Sequence, residues 1–281
     1  MLRAVRVSLP FPDCCPLTTV HSVHHWLYIY AGILHRDLSP NNIMCRFIKE
    51  KNVEGKKEQK VYGVLTDYDL SSSSDTMNSD YTKTSQQRTG TPPYMAQELL
   101  KGTSPLHLYR HDLESLFYIM LLMAARHTIG TPEGEKKPRV VMRGLRGLPY
   151  QNWFDEPRYD VLGLRKRAFL TDIEPIVLAP VFEDFRPWLV DLQNCFSVGL
   201  RLKLVCSDTM KNTKNPIVRA AVNSSIAAFD DETLGGCVTY TTVMALVPDL
   251  TGQLEGLVIR DPEYPSVPAG SPLTGTTQAD N

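Results

Sequence analysis

The sequence of 281 residues has no excess of charge of either sign, because its formal net charge is only −1. A strongly basic chain would indicate a nucleic acid or an anionic membrane as partner, so this balance predicts neither. The chain also has no apolar run long enough to cross a bilayer. Its longest apolar stretch, residues 116–125, predicts a buried helix instead.

A regular cysteine pattern and a signal peptide are also lacking. The six cysteines, at positions 14, 15, 45, 195, 206 and 237, show no repeated spacing. We therefore interpret them as reduced thiols rather than as a disulfide framework. The first residues lack the apolar segment of a secretory signal. Both absences predict an intracellular protein, in the cytoplasm or the nucleus, that is not secreted.

The chain does have enough apolar material for a sizeable core, because 42% of its residues are hydrophobic and 22% are charged. Residues 1–19 contain three prolines and predict an irregular N-terminal segment. Residues 20–248 alternate between apolar-periodic and polar stretches and predict a single lobe. Residues 249–281 are rich in proline, glycine, serine and threonine, which predicts a disordered tail.

Hydrophobic patterns predict the elements of this lobe. Apolar residues recur at helical spacing from Val20 to Leu34, so we expect a helix that ends near Gly32. Two short apolar runs, residues 43–47 and 61–65, predict the strands of a hairpin. Polar residues, glycines and prolines predict loops at residues 49–60 and 71–89, and loops with short helices at residues 130–160. Further helices are predicted at residues 162–171, 188–206, 216–229 and 239–247.

The segment from His35 to Asn42 follows the first predicted helix and contains candidate catalytic residues. Asp37 is followed five residues later by Asn42, as in the His-Arg-Asp loop that protein kinases use. A carboxylate can accept the proton of an attacking hydroxyl, and an amide oxygen can help to hold Mg²⁺. The alternative is a helix end followed by a turn, in which Asp37 is only a solvated residue.

A second acidic residue, Asp67, lies at the end of the second predicted strand, within Leu65-Thr66-Asp67-Tyr68-Asp69-Leu70. The segment resembles the Asp-Phe-Gly motif of protein kinases, whose aspartate coordinates the Mg²⁺ that bridges the nucleotide phosphates. An aspartate after a strand is also common turn chemistry, so this segment alone is a weak indication.

The third segment is Arg88-Thr89-Gly90-Thr91-Pro92-Pro93-Tyr94-Met95-Ala96-Gln97-Glu98. It resembles the end of a kinase activation segment, with Gln97 at a position where proline is usual. The resemblance implies that the hydroxyl of Thr91 steadies the catalytic loop. It also implies that Glu98 forms a structural ion pair with an arginine further along the chain, which the sequence does not identify.

Together with residues 107–118, these segments resemble the fungal-type protein kinases, most closely over residues 33–123 and more loosely over 20–248. The resemblance implies an α+β fold, the C-terminal lobe of a protein kinase, mainly α-helical with a short β-hairpin. It implies a serine/threonine-protein kinase that binds a protein substrate, ATP and Mg²⁺. Asp37 would be the catalytic base, and Asn42 and Asp67 would bind the metal and the nucleotide.

The same resemblance gives supporting roles to three further residues. Asp112 would start the buried central helix and accept backbone N–H bonds from the catalytic loop, although it could also be a plain N-cap. His35 would pack under the metal-binding turn. Arg36 would clamp a phosphate on the activation loop, or it could be a solvated cation. The candidate phosphosites on that loop are Thr84, Ser85 and Thr89.

Two departures from the kinase pattern limit the expected activity. Ser39 stands where serine/threonine kinases usually have a lysine, and no glycine-rich loop or Val-Ala-x-Lys strand precedes residue 35. We therefore expect the β-rich N-terminal lobe to be missing and this chain to be weakly active or inactive. The explanation would be a truncated gene model, a natural fragment or a degenerate kinase relative. The alternatives are a non-catalytic kinase-like interaction module and a small-molecule kinase. Residues 88–98 count against a small-molecule kinase, because such enzymes usually lack this segment. The sequence predicts no particular oligomeric state.

Overall fold

The computed structural model describes residues 16–51, 57–73, 90–101, 106–131, 139–212, 215, 217 and 229–246, which form an α+β structure. Its helices are α1 (Pro16–Ala31), α2 (Tyr109–Arg126), α3 (Asn152–Asp155), α4 (Tyr159–Thr171), α5 (Arg186–Asn212) and α6 (Tyr240–Leu246). Its strands are β1 (Ile33–Leu34), β2 (Ile43–Lys51), β3 (Lys57–Leu65), β4 (Ser72–Ser73), β5 (His127–Gly130) and β6 (Arg139–Met142). Short 3-10 helices lie at Pro40–Asn42, Pro149–Gln151 and Pro180–Phe185.

Strands β2 and β3 form the predicted hairpin, but it is longer than the apolar runs indicate. The antiparallel register runs from Ile43 opposite Leu65 to Lys51 opposite Lys57. Most of the predicted loop at residues 49–60 is therefore paired. A hairpin can extend beyond the apolar runs that mark it in the sequence, because its strands pair through main-chain hydrogen bonds that need no apolar side chains.

Two strands lie in regions where the sequence pattern predicted no strand. Strand β4 lies at the start of the predicted loop at residues 71–89 and pairs with β1. Strand β6 lies within residues 130–160, where we expected loops and short helices, and pairs with β5. Segments of two to four residues are too short to show a period, so only their pairing identifies them as strands.

Helix α1 begins at Pro16, which corrects the predicted end of the irregular segment at residue 19. Proline suits the first turn of a helix, because the missing N–H has no partner within the helix there. The remainder of the irregular segment, the tail at 249–281 and most of the helix predicted at 216–229 lie outside the described residues. The division into three segments stays a prediction.

Helix α2 lies in the hydrophobic core, and the prediction of a buried helix here is confirmed. Every residue from Tyr109 to Leu122 is buried. The ring of Phe117 packs against Phe169 of α4 and Phe196 of α5, with centroids 6.4 and 5.7 Å apart. Neither α2 nor any other helix in the described part of the chain is long and apolar enough to cross a membrane.

Candidate active site

The carboxylate of Asp37 is held in one orientation by the residues around it. The backbone N–H and the hydroxyl of Thr91 both donate to Oδ1, each at 3.0 Å. The side-chain amide of Asn42 donates to the main-chain oxygen of Asp37 at 2.8 Å and to Oδ2 at 3.3 Å. A side chain fixed by several partners is positioned before a substrate arrives, which is a requirement for a catalytic group.

Asn42 and Asp67 lie at the same end of the β2–β3 hairpin. The N–H and hydroxyl of Thr66 both donate to the main-chain oxygen of Asn42, at 2.9 and 3.2 Å, and Asp67 is the next residue. The Asp67 side chain is exposed, and the amide nitrogen of Asn42 faces Asp37, which leaves Asn42 Oδ1 as an acceptor. The structure thus brings both predicted metal-binding residues together.

These oxygens fit Mg²⁺, which prefers oxygen ligands and often takes only one or two carboxylates from a protein. No group of three or more histidine, cysteine, aspartate and glutamate side chains that could hold a metal occurs among the described residues. The oxygens of Asn42 and Asp67 thus have the donor chemistry that Mg²⁺ prefers.

The backbone is strained at two positions of this site. Arg36 and Asp67 have φ values of 70° and 65°, in the left-handed region that residues other than glycine rarely adopt. Such conformations persist where surrounding contacts hold them and are concentrated at functional sites. Here two of the four such residues lie directly beside Asp37 and directly after Thr66, in the segments that present the candidate site, whereas Ile173 and Leu234 lie elsewhere in the chain.

Asp112 supports the loop that carries Asp37. Its fully buried Oδ2 accepts the backbone N–H groups of His35 and Arg36, at 2.9 and 3.4 Å. This is the contact that the family resemblance implied. The plain N-cap alternative is wrong, because α2 begins at Tyr109 with Leu108 as its N-cap. Asp112 is thus inside the first turn and free to accept bonds from another segment.

Two histidines complete the surroundings of Asp112. Nε2 of His24 lies 2.8 Å from Oδ2, and Nε2 of His107 lies 2.7 Å from Oδ1. Burial by itself raises the pKa of Asp112, but the charges and hydrogen bonds of His107 and His24 outweigh burial and hold this pKa well below its ordinary value. Neither contact was identified from the sequence: His24 lies 88 residues from Asp112 and leaves no local signal, whereas His107 lies only five residues away, within the segment 107–118.

The position of His35 agrees with the predicted structural role. Its Nε2 donates to the main-chain oxygen of Thr66 at 3.0 Å, and its Nδ1 accepts the N–H of Asp37 at 3.4 Å. These partners fix a neutral imidazole, and burial accordingly lowers the pKa of His35. Its ring also packs against Tyr68, with centroids 4.9 Å apart. His35 therefore joins the catalytic loop to the segment of Asp67.

Arg36 is only 8% exposed, so the alternative of a solvated cation is wrong. The candidate phosphosites at residues 84, 85 and 89 lie outside the described residues. The role of Arg36 as a phosphate clamp stays a prediction.

The ion-pair partner of Glu98 is Arg110, at the start of α2. Its Nη2 lies 2.6 Å from Oε2 of Glu98, and Nζ of Lys203 lies 3.1 Å from the same oxygen. Burial alone raises the pKa of Glu98, but the nearby imidazole of His111, whose Nε2 lies 3.5 Å from Oε2, and the charges of Arg110 and Lys203 hold it far below its ordinary value. This ion pair fixes the end of the Thr91–Glu98 segment against α2.

Two buried histidines near this site predict a loss of stability in acid. Burial is the largest cause that lowers the pKa of His21 and of His111 from 6.5 to about 3, and in His111 the nearby Glu98 only partly opposes it. The neighbours of His21 that lower its pKa are His24 and His25. Between these pKa values the unfolded chain binds more protons than the folded chain. The free energy of unfolding should therefore fall as the pH falls below 6.5, by about 1.4 kcal/mol per pH unit for each histidine.

Urea unfolding measured from about pH 7 to about pH 5 checks this expectation. The His21→Leu variant removes one of the two titrating groups, so its stability should depend less steeply on pH than that of the wild type. An identical pH dependence in both proteins would show that His21 is not held neutral.

Comparison with known proteins bears on residues 15–124, which match the family described as fungal protein kinase. No curated protein matches the chain. The matched range includes Asp37, Asn42, Asp67, Thr91 and Asp112, and it confirms the resemblance found in the sequence.

Proposed function

Because residues 15–124 match the fungal protein kinases, we propose that the site around Asp37 transfers the γ-phosphoryl group of ATP to serine or threonine hydroxyls of proteins. The observation that carries the proposal is the fixed carboxylate of Asp37, which is bonded through Oδ1 to Thr91 and lies beside Asn42. Phosphoryl transfer depends mainly on positioning and charge stabilisation, and a preset base meets the first requirement.

In this proposal the hydroxyl oxygen of the substrate forms a bond to the γ-phosphorus, and the bond from phosphorus to the β–γ bridging oxygen breaks, which releases ADP. The proton of the hydroxyl passes to Asp37. Thr91 donates two hydrogen bonds to Oδ1, so Oδ2 is the oxygen with more free lone pairs and is the one that takes the proton.

Asn42 Oδ1 and the carboxylate of Asp67 are the groups that would hold Mg²⁺. When bound, Mg²⁺ neutralises the charge of the phosphates. Ser39 is 2% exposed and uncharged, so it does not supply the cation that a lysine gives at this position. The remaining protein contribution is orientation: Asp112 and His35 hold the loop on which Asp37 is presented.

The test is phosphate transfer from Mg-ATP to casein, with a small-alcohol acceptor in a parallel reaction. We expect slow formation of phosphoserine and phosphothreonine that stops when EDTA removes Mg²⁺. The transfer should be slow because Ser39 supplies no cation to the transferred phosphoryl group.

The other outcomes of the same assay distinguish the alternatives. Transfer to the small alcohol, with none to protein, would identify a small-molecule kinase. No transfer to either acceptor from folded protein would overturn the proposed function and favour a non-catalytic interaction module.

A further inference from the structure

Two buried ionisable side chains that the kinase motifs do not account for contact the Thr91–Glu98 segment. Glu114 of α2 is 1% exposed, and Lys166 of α4 is 0% exposed. A buried charge costs several kcal/mol unless it has good partners. Their partners are therefore informative, and both residues bind the main chain of the Thr91–Glu98 segment.

Lys166 directs its ammonium at the turn that contains Pro92 and Met95. Its Nζ donates to the main-chain oxygen of Met95 at 2.6 Å and to that of Pro92 at 3.3 Å. The ring of Tyr118 lies 4.0 Å from Nζ, and the ring of Trp153 lies 5.3 Å from it. Burial lowers the pKa of Lys166 well below its ordinary value, and two carbonyl oxygens and two aromatic faces are the contacts that hold its amino group in place.

Glu114 holds the other end of the segment. Its Oε1 accepts the backbone N–H of Gln97 and the hydroxyl of Tyr118, both at 2.7 Å. A proline at position 97 would have no N–H to donate. Thus the departure of Gln97 from the usual kinase sequence supplies the donor that Glu114 requires. Tyr118 joins the two buried groups, because its ring contacts Lys166 and its hydroxyl bonds Glu114.

The turn held by Lys166 is directly connected to Thr91. The N–H groups of Tyr94 and Met95 donate to the main-chain oxygen of Thr91, at 2.9 and 3.2 Å. A displacement of Pro92 or Met95 therefore displaces Thr91, whose N–H and hydroxyl orient Asp37.

We propose that Lys166 and Glu114 are positioning residues. Their hydrogen bonds to the Thr91–Gln97 main chain hold Thr91 where it can donate to the carboxylate of Asp37. In this arrangement two buried side chains give the segment the rigidity that a proline at position 97 would otherwise provide. The effect on catalysis rests on the proposed phosphoryl transfer, whereas the effect on the segment does not.

Amide hydrogen exchange in the full chain tests the proposal without any activity. In Lys166→Met, the amides of Thr91 and Gln97 should exchange at least about tenfold faster than in the wild type, relative to the amides of α5. The matched control is Arg165→Met, because Arg165 is the preceding residue of α4 and its side chain is 46% exposed. This control should leave the exchange of both amides unchanged.

A kinetic measurement separates positioning from general stability. Where the wild type transfers phosphate, Lys166→Met should lower kcat by about tenfold or more and leave the KM for ATP unchanged at a temperature where both proteins are folded. If the wild type transfers no phosphate, the proposed function fails, and hydrogen exchange still decides the positioning role.

A milder variant covers the case in which Lys166→Met does not fold. Tyr118→Phe keeps the ring against Lys166 and removes only the hydroxyl that bonds Glu114. It should accelerate exchange of the Gln97 amide more than that of the α5 amides. Unchanged exchange of the Thr91 and Gln97 amides in the folded variants would overturn the proposal.

Discussion

Replacement of Asp37 by asparagine is expected to lower the rate of phosphoryl transfer by roughly 10²–10⁴-fold, because an amide cannot accept the proton of the attacking hydroxyl. The fold should be retained. The oxygen of asparagine can still accept both hydrogen bonds from Thr91, and the residue is only half-buried. The measurement is the initial rate at saturating Mg-ATP, together with urea unfolding of the same samples.

The matched control for this experiment is Asp184→Asn, which makes the same chemical change at an exposed residue of the 3-10 helix Pro180–Phe185. Its rate and its stability should equal those of the wild type. If Asp37→Asn retains the rate of this control, Asp37 is not the base, and the proton must pass to another group.

Replacement of Asp112 by alanine is expected to lower the free energy of unfolding by about 3–5 kcal/mol, because it removes the acceptor from a buried group of donors. The N–H groups of His35 and Arg36 and the imidazoles of His24 and His107 would lose their bonds to this carboxylate. The catalytic loop would lose its attachment to α2, so transfer activity should fall as well. Urea unfolding gives the free energy directly.

Two further variants show whether the cause is the carboxylate. Asp112→Asn keeps one acceptor oxygen and should be destabilised less than Asp112→Ala. The exposed Asp184→Ala should change stability by no more than about 0.5 kcal/mol. A decrease in the free energy of unfolding of less than about 1 kcal/mol for Asp112→Ala would contradict the assignment, because removal of a buried acceptor that serves four donors should be more destabilising than that.

The sequence identified the parts of the site that are local along the chain. The spacing of Asp37 and Asn42, the position of Asp67 after a strand and the order of Thr91 and Glu98 behind them were all visible as short motifs. The structure places Thr91 and Asn42 against Asp37 and brings Asp67 beside Asn42. Local motifs can be found in this way because their chemistry needs fixed residue types at fixed spacing.

The partners that hold these motifs in place could not be found from the sequence. Arg110 lies only 12 residues from Glu98, yet it is one of 30 lysines and arginines, and spacing does not single it out. His24 lies 88 residues from its partner Asp112, and Lys166 lies 71 residues from its partner Met95, so only the packing of the helices brings these residues together. Their roles depend on where a side chain ends after folding, which no periodicity encodes.

Residue types and their order along the chain were thus enough to predict the chemistry of the candidate site and the long apolar elements, such as the buried helix α2. These predictions rest on residue type and on runs of apolar residues, which are properties of the chain before it folds. The histidine partners of Asp112 and the contacts of Glu114 and Lys166 became visible only in the folded protein. A charge is tolerated inside a protein only beside particular partners, and those partners are brought together by the packing of α1, α2 and α4.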